Sequence, residues 1–130
     1  MALIVIDASV VIAFLDADDA HHEGAVAALT TSRADRLVIP ASAYAEVLVG
    51  PMRRSRSMAD VVDHALADLN VEVVSVTRDI AMRAARLRAS QTSLRLPDAL
   101  VLATGDLLEA TAVLTADRAW RKFGRRVRLI

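Results

Sequence analysis

The chain has 130 residues, of which 55% are hydrophobic, and its sixteen basic residues balance sixteen acidic ones. This composition excludes a disordered chain, and no apolar stretch reaches the roughly 18–20 residues that span a bilayer. The absence of cysteine excludes disulfides and thiolate metal sites. We therefore expect one soluble domain over residues 1–130, without a signal peptide and located in the cytoplasm.

The first stretch predicts a buried strand that ends at a carboxylate. Ala2 to Ile6 is an unbroken apolar run, too short for a buried helix and typical of a strand covered on both faces. Asp7 follows at the carboxyl end of this strand, where ligands and catalytic groups collect in open α/β sheets. Asp7 is therefore a candidate for chemistry, although it could instead cap the helix that begins at Ser9 or Val10.

The rest of the chain alternates helical and strand patterns, and Gly50-Pro51 is expected to end one of the helices. After the first strand, the predicted elements are helices 10–15 and 22–29, strand 36–40, helix 41–49, a loop over 52–57, helix 58–69, strand 71–76, helices 78–89 and 99–108, strand 111–115 and an edge strand 127–130. This order predicts an α/β fold, a three-layer α/β/α sandwich with a mainly parallel sheet of four to five strands.

Three further acids have an unusual setting. Glu46 is the only charged residue in helix 41–49, Asp98 opens a helix, and Asp117 follows a strand as Asp7 does. Each has an ordinary alternative: Glu46 could face solvent, and a carboxylate at a helix start is favoured by the helix dipole by about 0.3–1 kcal/mol.

Two hydroxyl side chains accompany these acids. Ser9 lies two residues after Asp7, and Thr115 lies two residues before Asp117. Their hydroxyls could orient a carboxylate or a bound water, or they could only cap or end an element.

The topology brings the acids to one edge. Right-handed crossovers place the ends of the first and fourth strands, and the starts of the helices, at the same side of the sheet. Two carboxylates about 4 Å apart repel by roughly 4 kcal/mol at an effective dielectric constant of 20, so such a cluster needs a cation. His21 and His22 are adjacent and lack the spacing of paired ligands. Oxygen ligands alone indicate Mg²⁺ or Mn²⁺, and hydrolysis of a phosphodiester is the reaction class that follows.

The end of the chain is strongly basic. After Asp117 it carries no acid but six cations, which are Arg118, Arg121, Lys122, Arg125, Arg126 and Arg128. The planar arginine fork matches phosphate oxygens, although a GC-rich coding bias would also favour arginine.

The four acids together resemble a known family. Asp7-Ala-Ser after a first strand, Glu46 in Ala-Tyr-Ala-Glu-Val, Leu-Pro-Asp98-Ala and Thr115-Ala-Asp117-Arg are similar to the PIN domain, specifically VapC-type toxins of bacterial toxin–antitoxin pairs. The likeness spans residues 3–130. Many relatives have an acidic or polar residue two positions after the last aspartate, where this chain has Ala119. The resemblance therefore does not decide whether the site binds one metal ion or two.

The resemblance implies an endoribonuclease that depends on Mg²⁺ or Mn²⁺. It implies metal-binding and catalytic roles for Asp7, Glu46, Asp98 and Asp117, supported by Ser9 and Thr115. It also implies inhibition by a cognate VapB-type antitoxin, whose helix lies in the cleft, and a homodimer. RNA phosphates are expected to contact some of the exposed arginines, for which the candidates are Arg53, Arg54, Arg56, Arg86 and Arg118.

Two alternatives remain. In a phosphatase or phosphotransfer domain Asp7 would be a nucleophile, but Ser9 stands where one such family has a second aspartate, and Ser75 stands where another has its phosphoacceptor. In a binding module the fold would have lost catalysis and would serve as a surface for RNA or protein.

Overall fold

The computed structural model describes residues 1–130 as five strands and seven helices. The strands are β1 (Leu3–Ile6), β2 (Arg36–Pro40), β3 (Val71–Val74), β4 (Ala112–Thr115) and β5 (Val127–Leu129). The α-helices are α1 (Ala8–Leu15), α2 (His22–Thr31), α3 (Ala41–Arg54), α4 (Met58–Asp68), α5 (Arg78–Ser90) and α6 (Leu96–Leu107), and a 3₁₀ helix (Arg118–Phe123) precedes β5.

The five strands form one sheet in the order β3-β2-β1-β4-β5, and every neighbouring pair is parallel. In the register of the central strands, Val5 pairs with Val38 on one side and with Val113 on the other. The predicted α/β fold with a mainly parallel sheet of four to five strands is therefore confirmed, and the sheet has five.

The strand order explains where the helices lie. From β1 the chain moves outward to β2 and β3, and then returns past β1 to β4 and β5. Because crossovers between parallel strands are right-handed, this reversal places α1 to α4 on one face of the sheet and α5 with α6 on the other. The central strands are covered on both faces, which is why β1, β2 and β4 are nearly continuous apolar runs, whereas the edge strands β3 and β5 carry exposed residues.

Helix α3 corrects the prediction that Gly50-Pro51 ends a helix and that residues 52–57 form a loop. The helix continues through Pro51 to Arg54, and the backbone N–H of Ser55 still donates to the carbonyl of Pro51. Gly50 does not adopt the left-handed conformation that ends many helices at glycine. Pro51 lacks only the N–H that would reach Val47, and α3 continues with that one bond missing.

Helix α6 packs unusually close to β4. A Cβ atom at Gly105 would lie 2.6 Å from Cγ2 of Val113, so only glycine fits there without displacement. The other end of α6 carries Asp98, and its close packing on the sheet therefore fixes the position of that acid.

The 3₁₀ helix was not predicted from the sequence. Its side chain Trp120 is only 1% exposed and belongs to the hydrophobic core, which attaches the segment after Asp117 to the rest of the fold. None of the helices combines the length and the apolar character that crossing a membrane would require.

Candidate functional site

Two aspartates flank the point at which the sheet order reverses. Asp7 directly follows β1, and Asp117 comes two residues after β4, its immediate neighbour. From these two strands the chain leaves in opposite directions, and in open parallel sheets this is the point at which ligands bind, outside the carboxyl ends of the strands. The topology thus places both acids at the usual ligand-binding position of an open parallel sheet.

Asp7 is held by hydrogen bonds to both of its carboxylate oxygens. Oδ1 accepts the backbone N–H of Ala8 at 2.8 Å, so Asp7 caps α1, which was the alternative to a chemical role. Oδ2 accepts the hydroxyls of Ser9 at 2.7 Å and Thr115 at 3.0 Å. Asp7 is only 7% exposed. It caps a helix and also lies at the carboxyl edge of the sheet, directly after β1.

Ser9 and Thr115 join the ends of β1 and β4 through their hydroxyls. Ser9 Oγ accepts the backbone N–H of Ala116 at 3.0 Å, and Thr115 Oγ1 accepts that of Asp117 at 3.1 Å. Because each hydroxyl also donates to Asp7, the backbone that carries Asp117 is fixed relative to the Asp7 carboxylate. The two residues thus do more than end their own elements.

Asp117 is exposed, and its Oδ1 accepts the backbone N–H of Ala119 at 2.9 Å at the start of the 3₁₀ helix. Its side chain therefore also serves as a cap. Oδ2 has no hydrogen-bond partner within the chain and is free to bind a ligand.

Asp98 has a positive partner that the sequence interpretation did not include. Asp98 lies in the first turn of α6, and its side chain is 15% exposed. The guanidinium of Arg95, one turn earlier, approaches its carboxylate with N–O distances of 3.4 and 3.5 Å. Asp98 raises the pKa of Arg95 by this hydrogen bond and by its charge, and Glu46 and Asp117 add to the increase. Arg95 thus offsets part of the repulsion that was expected to require a metal ion.

Glu46 is exposed on α3 but faces the other acids. It lines a cavity of about 250 Å³ with Ile12 and Leu15 of α1. Partial burial raises the pKa of Glu46, and the negative charges of Asp7 and Asp98 raise it further. Glu46 therefore lies near Asp7 and Asp98 rather than on an unrelated solvent-facing surface. We call the carboxyl edge of the sheet with Asp7, Glu46, Asp98 and Asp117 the acidic edge.

Burial also raises the pKa of Asp7, and the charge of Asp98 adds to this, whereas the hydrogen bonds from Ser9, Thr115 and Ala8 oppose it. Burial has the largest effect. Asp98 therefore lies close enough to raise the pKa of both Asp7 and Glu46, and Asp7 lies close enough to raise the pKa of Glu46.

The raised pKa values predict how stability depends on pH. The folded protein holds the protons of Asp7 and Glu46 above their ordinary pKa values of 3.8 and 4.5. Because the folded protein binds these two protons more tightly than the unfolded chain does, they add to the free energy of unfolding. This contribution is complete below pH 3.8 and is lost as the pH rises through the folded pKa values. Asp7→Asn removes the Asp7 part, so the Tm of this variant in EDTA, relative to that of wild type, should rise as the pH increases from below 3.8 to roughly pH 7. A Tm difference that stays constant across this range would contradict the assignment.

No group of three or more histidine, aspartate or glutamate side chains is arranged to hold a metal ion directly. The donor chemistry nevertheless fits a hard cation, since the edge offers only carboxylate and hydroxyl oxygens. Mg²⁺ commonly keeps several waters and uses one or two protein carboxylates, so it does not require three converging side chains. The residues fit an ion bound partly through water.

The candidate RNA-binding arginines are exposed, and none forms an ion pair. Arg54 lines the same cavity as Glu46, and Arg118 directly follows Asp117. The structure shows no contact between the other three, Arg53, Arg56 and Arg86, and the acidic edge. Sequence reasoning missed Arg95, although its spacing of three residues from Asp98 in a helix start is a recognisable ion-pair signal.

Several solved structures share this fold. The chain resembles VapC20 of Mycobacterium tuberculosis, a toxin that cleaves the sarcin–ricin loop, with 21% identity and a TM-score of 0.77 over 93% of this chain and 95% of that one. It is also similar to a toxin–antitoxin complex from Klebsiella pneumoniae, with 24% identity and a TM-score of 0.72 over 95% and 94% of the two chains. FitAcB from Neisseria gonorrhoeae is 18% identical, with a TM-score of 0.75 over 98% and 96%.

These structural likenesses establish the shared fold. A search of curated protein sequences gives no match. The sequence model of the PIN domain matches residues 4–126, which is nearly the whole chain and includes every candidate acid. The chain therefore belongs to the PIN domain family.

Proposed function

We propose that the protein is an endoribonuclease that depends on Mg²⁺ or Mn²⁺ and acts as a VapC-like toxin. The observation that carries this proposal is the buried Asp7 carboxylate, held by the hydroxyls of Ser9 and Thr115 at the carboxyl edge of a PIN domain. Asp98 is close enough to raise the pKa of both Asp7 and Glu46. A buried aspartate with a raised pKa beside other acids costs stability, which is a typical feature of functional sites.

Asp7, Asp98 and Asp117 would hold the metal ion, directly or through water, and Glu46 would complete the site. A bound ion supplies a Lewis acid for the phosphodiester and lowers the pKa of a bound water. Glu46, whose pKa is raised, is suited to accept a proton from the attacking water at its carboxylate.

The neighbouring residues hold these acids in place. Ser9 and Thr115 fix the orientation of the Asp7 carboxylate through their hydroxyls. Arg95 pairs with Asp98 and is exposed enough to contact a substrate phosphate beside the acids.

Metal dependence is the direct test of the proposal. Purified protein, freed of bound ions by dialysis, is incubated with RNA in the presence of Mn²⁺, Mg²⁺ or EDTA. We expect cleavage with either ion and none in EDTA. Cleavage that continues at the same rate in EDTA would refute the proposal.

Thr115→Val should lower the cleavage rate and the affinity for Mn²⁺ by about 10–100-fold, as expected when a residue that orients a metal ligand is lost. Valine keeps the shape but removes one of the two hydroxyls that donate to Asp7 Oδ2, and it leaves the N–H of Asp117 without its acceptor. Rates and calorimetric titration with Mn²⁺ measure both effects.

Thr104→Val is the matched control. Thr104 is also fully buried, but its hydroxyl donates to the carbonyl of Leu100 within the same helix. Equal losses of rate and Mn²⁺ affinity in the two variants would show that Thr115 has no specific role at the site.

We propose an antitoxin of the VapB type as the protein partner and a homodimer as the working form. The cavity beside Glu46 supports a partner here, because Ile12 and Leu15 expose apolar surface next to an acid. Two similar structures are toxin–antitoxin complexes, from Klebsiella pneumoniae and, as VapBC2, from Rickettsia felis.

The expected partner presents a helix with a basic residue to this cleft. The double variant Glu46→Gln/Asp98→Asn should therefore bind the antitoxin about tenfold more weakly, in the range expected for lost charge-assisted hydrogen bonds. Surface plasmon resonance measures the affinity, and an unchanged value would contradict this binding mode.

A binding module without catalysis is the second candidate. It is favoured by the absence of a preformed group of three metal ligands and by the charge that Arg95 provides to Asp98. Calorimetric titration with Mn²⁺ separates the two candidates, because the nuclease must bind this ion. A protein that binds RNA but has no affinity for Mn²⁺ would be a binding module and not a nuclease.

A further inference from the structure

A second polar cavity lies at the end of the sheet opposite the acidic edge. It has a volume of about 240 Å³ and is lined by Arg83 of α5, Asp106 of α6 and the segment Phe123 to Val127, which includes Arg125 and Arg126. Asp106 is near the end of α6, and the segment directly precedes β5, so the cavity is at the amino ends of the strands. The function proposed above uses none of these residues.

One carboxylate fixes two of the arginines. Asp106 Oδ2 accepts Nε of Arg83 at 2.9 Å, and Asp106 Oδ1 lies 3.6 Å from Nε of Arg126. Arg126 also donates from Nη1 to the carbonyl of Ala110 at 2.6 Å. Two guanidinium groups from different parts of the chain are thereby held beside the same cavity.

These arginines keep unused donors. Arginine has five N–H groups, and Arg83 uses only Nε within the chain, so all four of its Nη hydrogens are free. Nη2 of Arg126 and the whole guanidinium of Arg125 have no partner either. Three arginines face one aspartate, which leaves the cavity with a net charge of +2. Positioned guanidinium forks around a concave surface match the oxygens of a phosphate group.

A basic path leads from the acidic edge toward this cavity. Four exposed cations follow Asp117 without any intervening acid, and they are Arg118, Arg121, Lys122 and Arg125. The first three lie on the 3₁₀ helix, whose six residues span about 12 Å at a rise of about 2.0 Å each. A continuous polyanion suits such a row of charges better than an isolated anion does.

We propose that this cavity, which we call the Arg83–Arg126 pocket, binds a backbone phosphate of the RNA strand at a distance from the cleaved bond. The inference rests on the proposed ribonuclease function and adds a second contact with the substrate. Asp106 is a positioning residue that keeps Arg83 and Arg126 directed at the phosphate. Arg125, which has no partner, completes the phosphate contact.

The test measures how RNA binding depends on salt. Fluorescence anisotropy with a labelled single-stranded RNA, in EDTA to prevent cleavage, is recorded at several KCl concentrations. Loss of one phosphate contact should lower the slope of log K against log salt by about 0.7. We expect this change for Arg125→Gln, and we expect Arg83→Gln/Arg125→Gln to bind roughly tenfold more weakly as well.

Arg88→Gln is the matched control, since Arg88 is exposed on α5 but does not line the pocket. The slope should stay at the wild-type value in this variant. Arg125→Gln breaks no contact of its side chain within the chain, so a folding defect cannot mimic the result. Equal slopes for Arg125→Gln and wild type, or equal losses for Arg125→Gln and Arg88→Gln, would overturn the proposal.

Two competitors identify the ligand. Inorganic phosphate should displace the RNA only at millimolar or higher concentration, and displacement at micromolar concentration would assign the pocket to a free phosphate compound instead. Hexaglutamate should compete less well than unlabelled RNA of equal charge, and stronger competition would assign the pocket to an acidic protein. Either result would overturn the RNA assignment.

A separate assay distinguishes failure here from failure of the nuclease proposal. A dinucleotide is too short to reach both sites, so Arg125→Gln should cleave it with Mn²⁺ at the wild-type rate. If wild type cleaves no RNA, the nuclease proposal fails, but the salt dependence in EDTA still reports on the pocket. A lower rate of dinucleotide cleavage in Arg125→Gln would contradict a remote phosphate site.

Discussion

Asp7→Asn should lower the rate of Mn²⁺-dependent RNA cleavage by at least about 10³-fold, which corresponds to roughly 4 kcal/mol of transition-state stabilisation. Asparagine keeps the size of the side chain and can still accept the N–H of Ala8. It removes the negative charge that would bind the ion at the centre of the site. Single-turnover cleavage of a labelled RNA measures the loss.

Asp68→Asn controls for the removal of one acid. Asp68 is exposed at the end of α4, before β3, and therefore lies at the opposite edge of the sheet. Its rate should stay close to the wild-type rate. If Asp7→Asn cleaved RNA within tenfold of wild type while remaining folded, Asp7 would not be a metal ligand or a catalytic residue.

Trp120→Ala should destabilise the protein by about 3–5 kcal/mol, the usual cost of removing a large buried aromatic side chain. Trp120 is the largest fully buried side chain, and its backbone N–H donates to the carbonyl of Asp117 at 3.1 Å. A loss of this size is a large part of the roughly 5–15 kcal/mol that stabilises a typical domain. Urea unfolding measures the free energy.

Trp120→Phe separates packing from the presence of tryptophan itself. Phenylalanine fills most of the space, so it should cost about 1–2 kcal/mol and retain cleavage activity. Trp120→Ala should also lose activity at temperatures where it remains folded, because the segment after Asp117 loses its anchor. A loss of stability below about 1 kcal/mol in Trp120→Ala would contradict the role of this side chain.

The sequence was most informative about the centre of the sheet. The apolar runs of β1 and β4 are continuous because both faces of these strands are buried, and no polar alternation confuses the pattern. The end of α3 was predicted wrongly because Gly50 does not adopt the left-handed conformation that ends a helix, and Pro51 removes only one backbone hydrogen bond. The 3₁₀ helix has no clear periodicity, and its position depends on the burial of Trp120 in a core built from distant residues.

The candidate site was predictable to the extent that topology determines it. Asp7 and Asp117 could be placed at one edge because each follows a strand, and the order of the strands then makes them neighbours. The role of Glu46 could not be decided from α3 alone, since a helix pattern does not show which exposed residue faces a cleft. The ion pair of Arg83 with Asp106 joins α5 and α6. Because this pair forms only when the two helices pack together, the Arg83–Arg126 pocket could not be predicted from the sequence.

Anomalous diffraction from a crystal of the protein soaked in Mn²⁺ shows whether the carboxyl edge of the sheet binds a metal ion. We predict a peak at the carboxyl edge, with at least one oxygen of Asp7, Asp98 or Asp117 at about 2.1 Å, the oxygen distance of Mg²⁺ sites. The same soak of Asp7→Asn crystals should show a weaker peak or none. A wild-type map without density at this edge, under conditions where Mn²⁺ supports RNA cleavage, would show that these acids do not bind the catalytic ion.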